Sequence, residues 1–399
     1  MSGFCSRKPL TVESRPLSHG RPVPRVRATM LGGMVPTLFR SVTHTPASPL
    51  AVLRPSFLLG LVAAPVALLL LAAAAYVGAS PSGWGYVVGL AVTAAGLLTR
   101  PWRRRRGLTR AGLALVLLVA AGRLALADGH RMETLHLPGG GLRWVNRLVA
   151  ERDGTLLAAQ ALMLSGGLPR SDARAFIPAL EAAFDRMDAA EGPFATPAVA
   201  TYLGLQSPKS FDAVVIPPPG GATPETAVVF LHGYAGNFAV YCWQLAQAAH
   251  AISALTICPS VGPAGDWWSQ KGERTLEATL DWLADRGIRR VYLGGLSNGG
   301  AGASVLVGRV SHPRISLRGL LLISGAWSEA PTPTVPTLLV QGRHDSMMPT
   351  RSMRAIAGRL GGLASYVELD SGHFAFLDRH RECERAIARW LMQLERERG

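Results

Sequence analysis

Residues 57–79, FLLGLVAAPVALLLLAAAAYVGA, run for 23 positions without a charged side chain. About 20 such residues cross a bilayer as a helix, the form in which a single segment satisfies its own backbone polar groups. A helix that is apolar on every face for this length offers a soluble domain no wet side. The run is expected to span a membrane, with Pro65 tolerated as in other lipid-embedded helices. A second uncharged run, residues 84–99, opens on Trp84 and Tyr86 at an interfacial position, after a charge-free SPSG linker (80–83).

Six arginines then follow in RPWRRRRGLTR (100–110). Positive residues beside transmembrane ends stay on the cytoplasmic side, so this loop and the basic N-terminus (Arg40, Arg54) are expected to share that side, joined by a helical hairpin. A third run, residues 111–127, carries Arg123 near its end, placed to snorkel to the far interface. Counting it as a span puts residues 128–399 outside the cytoplasm; treating it as a surface or core helix leaves them inside. Three spans are expected.

The net charge of +15 invites a nucleic-acid reading, which dividing the chain removes. Residues 1–127 hold 15 Lys or Arg against one acid, Glu13, a net of +14; the remaining 26 basic and 25 acidic side chains leave +1 for residues 128–399. A nucleic-acid groove needs a basic patch in the folded part, and none stands out there. Residues 1–55 are rich in Arg, Pro and Ser and are expected to be disordered. A transit peptide shares that composition, and Met30 and Met34 offer alternative starts. Four cysteines make no disulfide framework and no CxxC metal spacing, so no metal or cofactor is expected. Cys242 and Cys258 either pair, in an oxidising compartment, or pack as small apolar side chains.

From Phe211 onward short apolar runs alternate with helical stretches. The runs are 211–216, 226–233, 252–259, 289–297, 319–325, 336–342 and 365–373, and helices are expected near 239–250, 270–286, 298–309, 349–360 and 379–397. Buried apolar strands alternating with helices indicate an α/β fold with a doubly wound, mostly parallel sheet. Residues 128–204 read instead as a helical extension, with Ser171 a reasonable N-cap for a helix over 171–187. This extension either covers a sheet edge or leans over the active site. The domains are thus 1–55, the membrane region 56–127, the extension 128–204 and the sheet domain 205–399.

In such sheets ligands bind at the carboxyl ends of the strands, where useful chemistry should collect. Gly295-Leu296-Ser297-Asn298-Gly299 fits G-x-S-x-G, a weak signal alone in a chain with 44 glycines. Its position directly after a strand and before a small-residue helix strengthens it, because a serine on so tight a turn needs minimal neighbours. LHGYAGN (231–237) provides a loop whose amides can face a developing oxyanion, placed at the N–H groups of Tyr234 and Asn298, with His232 orienting the loop. QGRHDSMMP (341–349) sets Asp345 after an apolar run, where it either orients a histidine or caps a helix. LDSGHFAF (369–376) sets His373 after the last strand, with Asp370 as a rival acid.

These four stretches resemble the oxyanion loop, nucleophile elbow, acid turn and histidine loop of the α/β-hydrolase superfamily, over roughly residues 205–399. The Gly342, Asp345 and Pro349 turn is similar to that of the compact esterase and dienelactone-hydrolase-like branch. The resemblance implies Ser297 as nucleophile, His373 as general base and Asp345 as its orienting acid. Only ten residues (326–335) separate the run 319–325 from the next, so no lid is inserted there. Trp267 and Trp268 either line a substrate pocket, with His232, or belong to the core. The expected function is a membrane-anchored serine esterase acting on a small-molecule or lipid-like ester. An acyltransferase with the same triad, or an idle membrane scaffold, are the alternatives.

Overall fold

The computed structural model describes residues 55–99, 102–221 and 223–397. The expected disorder of residues 1–55 falls, apart from Pro55, outside them. Three helices open the described chain: α1 (Pro55–Tyr76), α2 (Pro81–Leu98) and α3 (Trp102–Leu126). All three are long and apolar enough to cross a membrane. Their surfaces fit that role, with Leu59, Val62, Leu68 and Leu69 of α1 each 60–71% exposed. The arginine-rich stretch is the start of α3 rather than a loop, because helix continues through it.

Arg123 corrects a second expectation. It does not snorkel to lipid but is buried, donating to the carbonyls of Arg147 (2.9 Å), Val149 (3.0 Å) and Phe194 (3.1 Å). A guanidinium has five N–H donors and no acceptor, so unpaired backbone carbonyls are its natural partners. The arginine thereby fastens the end of α3 to residues 144–194.

The rest is built on an eight-stranded sheet ordered β1-β2-β4-β3-β5-β6-β7-β8. Its strands are β1 (Glu133–Leu137), β2 (Phe211–Ile216), β3 (Thr226–Leu231), β4 (Leu255–Pro259), β5 (Arg290–Leu296), β6 (Ser316–Ile323), β7 (Thr337–Gly342) and β8 (Ala364–Leu369). Strands β3 to β8 pair in parallel, while β2 runs antiparallel to both β1 and β4. β3, β4 and β7 are buried along their whole length, which is why they read as continuous apolar runs.

The sheet does not begin at residue 205. β1 comes from the extension, in register with β2 from Glu133 opposite Val215 to Leu137 opposite Phe211. The rest of the extension is helical: α4 (Glu151–Ser165), α5 (Arg170–Glu191) and the short α6 (Ala198–Tyr202). Ser171 is not an N-cap, since α5 begins one residue before it, after Pro169. The remaining helices are α7 (Ala239–Ala249), α8 (Gln270–Asp285), α9 (Asn298–Leu306), α10 (Thr350–Leu360), α11 (Ala375–Asp378) and α12 (His380–Arg396). Cys242 of α7 and Cys258 of β4 are joined by a disulfide.

Two cores form, one on each face of the sheet. α5, α7 and α12 pack on one, with Phe184, Phe230, Leu245 and Ile387; α8 and α10 pack on the other, with Trp267, Leu283 and Ile356. Glu151 at the start of α4 is buried in the first of them, accepting from the Ala239 amide at the start of α7 (2.9 Å) and from the Thr196 hydroxyl. Burial outweighs these bonds and pushes its carboxyl up to about 7 from the ordinary 4.5. The unfolded chain then gives up this proton first as pH rises, so Glu151's contribution to stability is full below pH 4.5 and is lost as pH climbs to about 7. Glu151→Gln is expected to flatten the fall in melting temperature of the full chain across that window; an unchanged slope contradicts it.

Candidate active site

Ser297 stands between β5 and α9 with φ +55° and ψ −120°, a conformation that costs a non-glycine residue about 1–3 kcal/mol. Its amide donates to the Ile323 carbonyl on β6 (2.9 Å), and its own carbonyl accepts from Ala301 in α9 (2.9 Å). The flanking glycines make the turn possible. A Cβ on Gly295 would overlap the Gly299 backbone, and one on Gly299 would overlap the Leu231 carbonyl. The backbone thus lifts the Ser297 side chain into a cavity of about 130 Å³, whose wall it shares with His373.

His373 is buried, and its Nδ1 lies 2.9 and 3.1 Å from the two carboxylate oxygens of Asp345. Asp345 Oδ1 also accepts the amides of Met347 (2.9 Å) and Met348 (2.7 Å), and Oδ2 accepts the Gln341 side-chain amide (2.8 Å). These donors fix the orientation of the carboxylate beside the His373 ring. The rival acid, Asp370, turns outward to an exposed pair with His344 (3.0 Å). Ser297 and His373, after β5 and β8, thus line one cavity, and Asp345, after β7, is bonded to His373.

The loop after β3 approaches Ser297 closely, since a Cβ on Gly233 would come within 3.3 Å of the Ser297 Cβ. Ala235 and Gly236 both take positive φ, and the Ala235 amide is committed to the Pro263 carbonyl (2.7 Å). The Tyr234 amide donates to no acceptor among the described residues, and the Asn298 amide opens α9 as one of its free first-turn donors. The Tyr234 side chain stands 67% exposed at the cavity rim.

Three sequence-based pocket residues do not line this cavity. His232 is buried beneath it, its Nδ1 against the Gly233 carbonyl (2.8 Å) and its Nε2 accepting the Val261 amide (3.3 Å). Burial pushes it down to about 4 and so keeps it neutral. Trp267 is fully buried in the second core and donates from Nε1 to the His232 carbonyl (3.0 Å). Trp268 pairs with Trp327, ring centroids 5.6 Å apart.

The extension supplies the cavity's cover, through Thr155, Ala159 and Leu162 of α4, Leu168, and Phe176 of α5. It also grips the loops below. Asp172 of α5, buried, accepts the His373 amide (3.2 Å) and the hydroxyl of Ser346 in the acid turn. Phe176 stacks on Phe374, centroids 3.7 Å apart, and the Tyr202 hydroxyl donates to the Ala235 carbonyl (2.7 Å). Sequence reasoning found none of these three, for no local pattern separates Asp172 from any acidic residue in a first helical turn.

Strand order and a serine elbow after the fifth strand, with acid and histidine after the seventh and eighth, define the architecture. It is the α/β-hydrolase fold. Among solved structures, α/β-hydrolase domains similar to this one include a serine hydrolase homologue from Coxiella burnetii (18% identity, 46% of this chain and 92% of that one, TM-score 0.36). Others are a lidless serine hydrolase from Xanthomonas campestris (16%, 46% and 89%, 0.37) and an esterase from Pyrococcus furiosus (14%, 46% and 87%, 0.39). No family profile and no curated protein matches the chain.

Asp172 offers a direct check. Asp172→Ala is expected to slow the reaction of Ser297 with a fluorophosphonate by about tenfold to a hundredfold, the scale of an ångström's misplacement. Asp172→Asn, which retains an acceptor for the His373 amide, should restore most of that rate. Equal rates in all three proteins would show that the contact is irrelevant to the site.

Proposed function

We propose that this chain is a membrane-anchored serine hydrolase that cleaves a carboxylic ester through an acyl-enzyme. The observation that carries the reading is the buried His373–Asp345 hydrogen bond beside a serine held at positive φ in the same cavity. With Nδ1–H donated to Asp345, the lone pair on His373 Nε2 is available to take the Ser297 hydroxyl proton. Ser297 Oγ then adds to the acyl carbon, and the oxyanion forms toward the amides of Tyr234 and Asn298, each such donor contributing about 3 kcal/mol at the transition state. His373 returns its proton to the departing alkoxide. Water, deprotonated in turn by His373, releases the acid and restores Ser297.

The same reading places the hydrolase domain outside the cytoplasm. Arginines at the start of α3 belong on the cytoplasmic side, and one passage through α3 carries the remaining chain across. The Cys242–Cys258 bond fits an oxidising compartment. A phosphatase reporter that is active only in that compartment, fused at the C-terminus, should be active; an inactive, stably expressed fusion argues for a cytoplasmic domain.

A fluorophosphonate probe is expected to label the full-length protein and to leave Ser297→Ala unlabelled. His373→Ala should lower turnover of a soluble ester by at least about a thousandfold, as loss of a triad member does elsewhere. Equal labelling of wild type and Ser297→Ala would sink the proposal.

A further inference from the structure

The sequence GTLLAAQALMLSGGLP, residues 154–169, contains no charge. Within it α4 turns Thr155, Leu156 and Ala159 inward, and Ala158 and Leu162 toward the catalytic cavity. The opposite stripe, Gly154, Leu157, Ala161 and Leu164, repeats at helical spacing and is solvent-exposed, Leu164 to 75%. A helix apolar on every face is normally buried on every face.

What covers the stripe is indicated by what α4 is tied to. Ser80, between α1 and α2, donates from its amide and hydroxyl to Asp153 (2.7 and 2.6 Å). Arg152 donates to the Gly78 carbonyl (2.7 Å), and the Tyr76 hydroxyl at the end of α1 donates to Gln160 (3.3 Å). Positions 152 and 160 lie about 12 Å apart along a helix, so α4 runs beside the loop where two apolar helices emerge rather than touching it at one point. A neighbouring turn is held at the same level. The Tyr86 hydroxyl, near the start of α2, donates to the Leu148 carbonyl (2.8 Å), and Trp144 nearby is 67% exposed. Exposed tryptophan and tyrosine beside helix ends mark the headgroup layer of a bilayer.

We propose that the outer stripe of α4 docks on the lipid surface from which the three helices emerge. The inference rests on reading those helices as membrane spans. Because the inner side of α4 walls the cavity, the docked helix separates Ser297 from lipid by a single helix diameter, on the order of 10 Å. Esters dissolved in that leaflet are then the substrates with the shortest path to the serine.

The test uses full-length protein carrying Cys5→Ser, in vesicles of phosphatidylcholine and phosphatidylglycerol. An environment-sensitive fluorophore is attached at Leu164→Cys, at Leu69→Cys within α1, or at Glu277→Cys on α8, and is challenged with spin-labelled lipids. Quenching at 164 by shallow labels and at 69 by deep labels, with none at 277, is the expected pattern. Quenching at 69 but not at 164 overturns the docking and leaves the spans intact. No quenching at 69 overturns the membrane reading and the docking with it. Quenching at 277 equal to that at 164 also overturns the docking, because the contact would then be non-specific.

A second readout follows hydrolysis by Leu157→Glu/Leu164→Glu. It should turn over a water-soluble short ester at the wild-type rate while its rate on an ester embedded in the vesicles falls about tenfold, as loss of interfacial apolar area implies. Equal rates on the embedded ester contradict the proposal.

Discussion

The Asp172 carboxylate joins three parts of the molecule at one point. It sits on a helix of the extension, accepts the backbone amide of His373 and accepts the hydroxyl of Ser346, one residue after Asp345. A carboxylate taken out of water is costly unless its oxygens are satisfied, so the two loops that satisfy it are drawn to fixed positions. Phe176 on Phe374 and Tyr202 on the Ala235 carbonyl extend the same grip to the cavity wall and the oxyanion loop. Only the serine elbow is shaped chiefly from within the sheet, by glycines that let β5 and α9 meet.

The membrane junction follows a similar logic with the opposite charge. At the end of the third apolar helix, Arg123 meets three backbone carbonyls that burial would otherwise leave unpaired. Asp153 meets Ser80 in the hairpin loop, and Arg152 meets the Gly78 carbonyl. The extension is thus held on one side by the ends of the apolar helices and on the other holds the loops that carry Ser346 and His373. A lid inserted after β6, absent from this chain, would have had no such foundation.

Most of the sheet was legible in the sequence because parallel strands buried on both faces must be apolar throughout, and each run ended on glycine, proline or a catalytic loop. β1 was not, since Glu133, Thr134 and His136 interrupt its apolar pattern and its pairing depends on β2, some 80 residues away. The positions of Ser297, Asp345 and His373 after β5, β7 and β8 could be read from their place at the ends of apolar runs. Trp267 and Trp268 were left open between pocket and core, because aromatic residues after a strand do not reveal which side of the loop they face. Asp172 lay beyond local reasoning altogether, 201 residues from the histidine it holds.

The cover of the cavity precedes every strand of the sheet but β1 in the chain, and this has a consequence for how the protein is made and dismantled. Helices α4 and α5 leave the ribosome before Ser297, Asp345 and His373 do, so the loops that carry those residues are made after the helices they pack on. Conversely, cutting the chain back to residues 205–399 removes the edge strand β1, the cavity roof and the contacts of Asp172 in one stroke. A protease acting between residues 138 and 205 would therefore cut within the segment that covers the cavity, ahead of the strands that carry Ser297, Asp345 and His373.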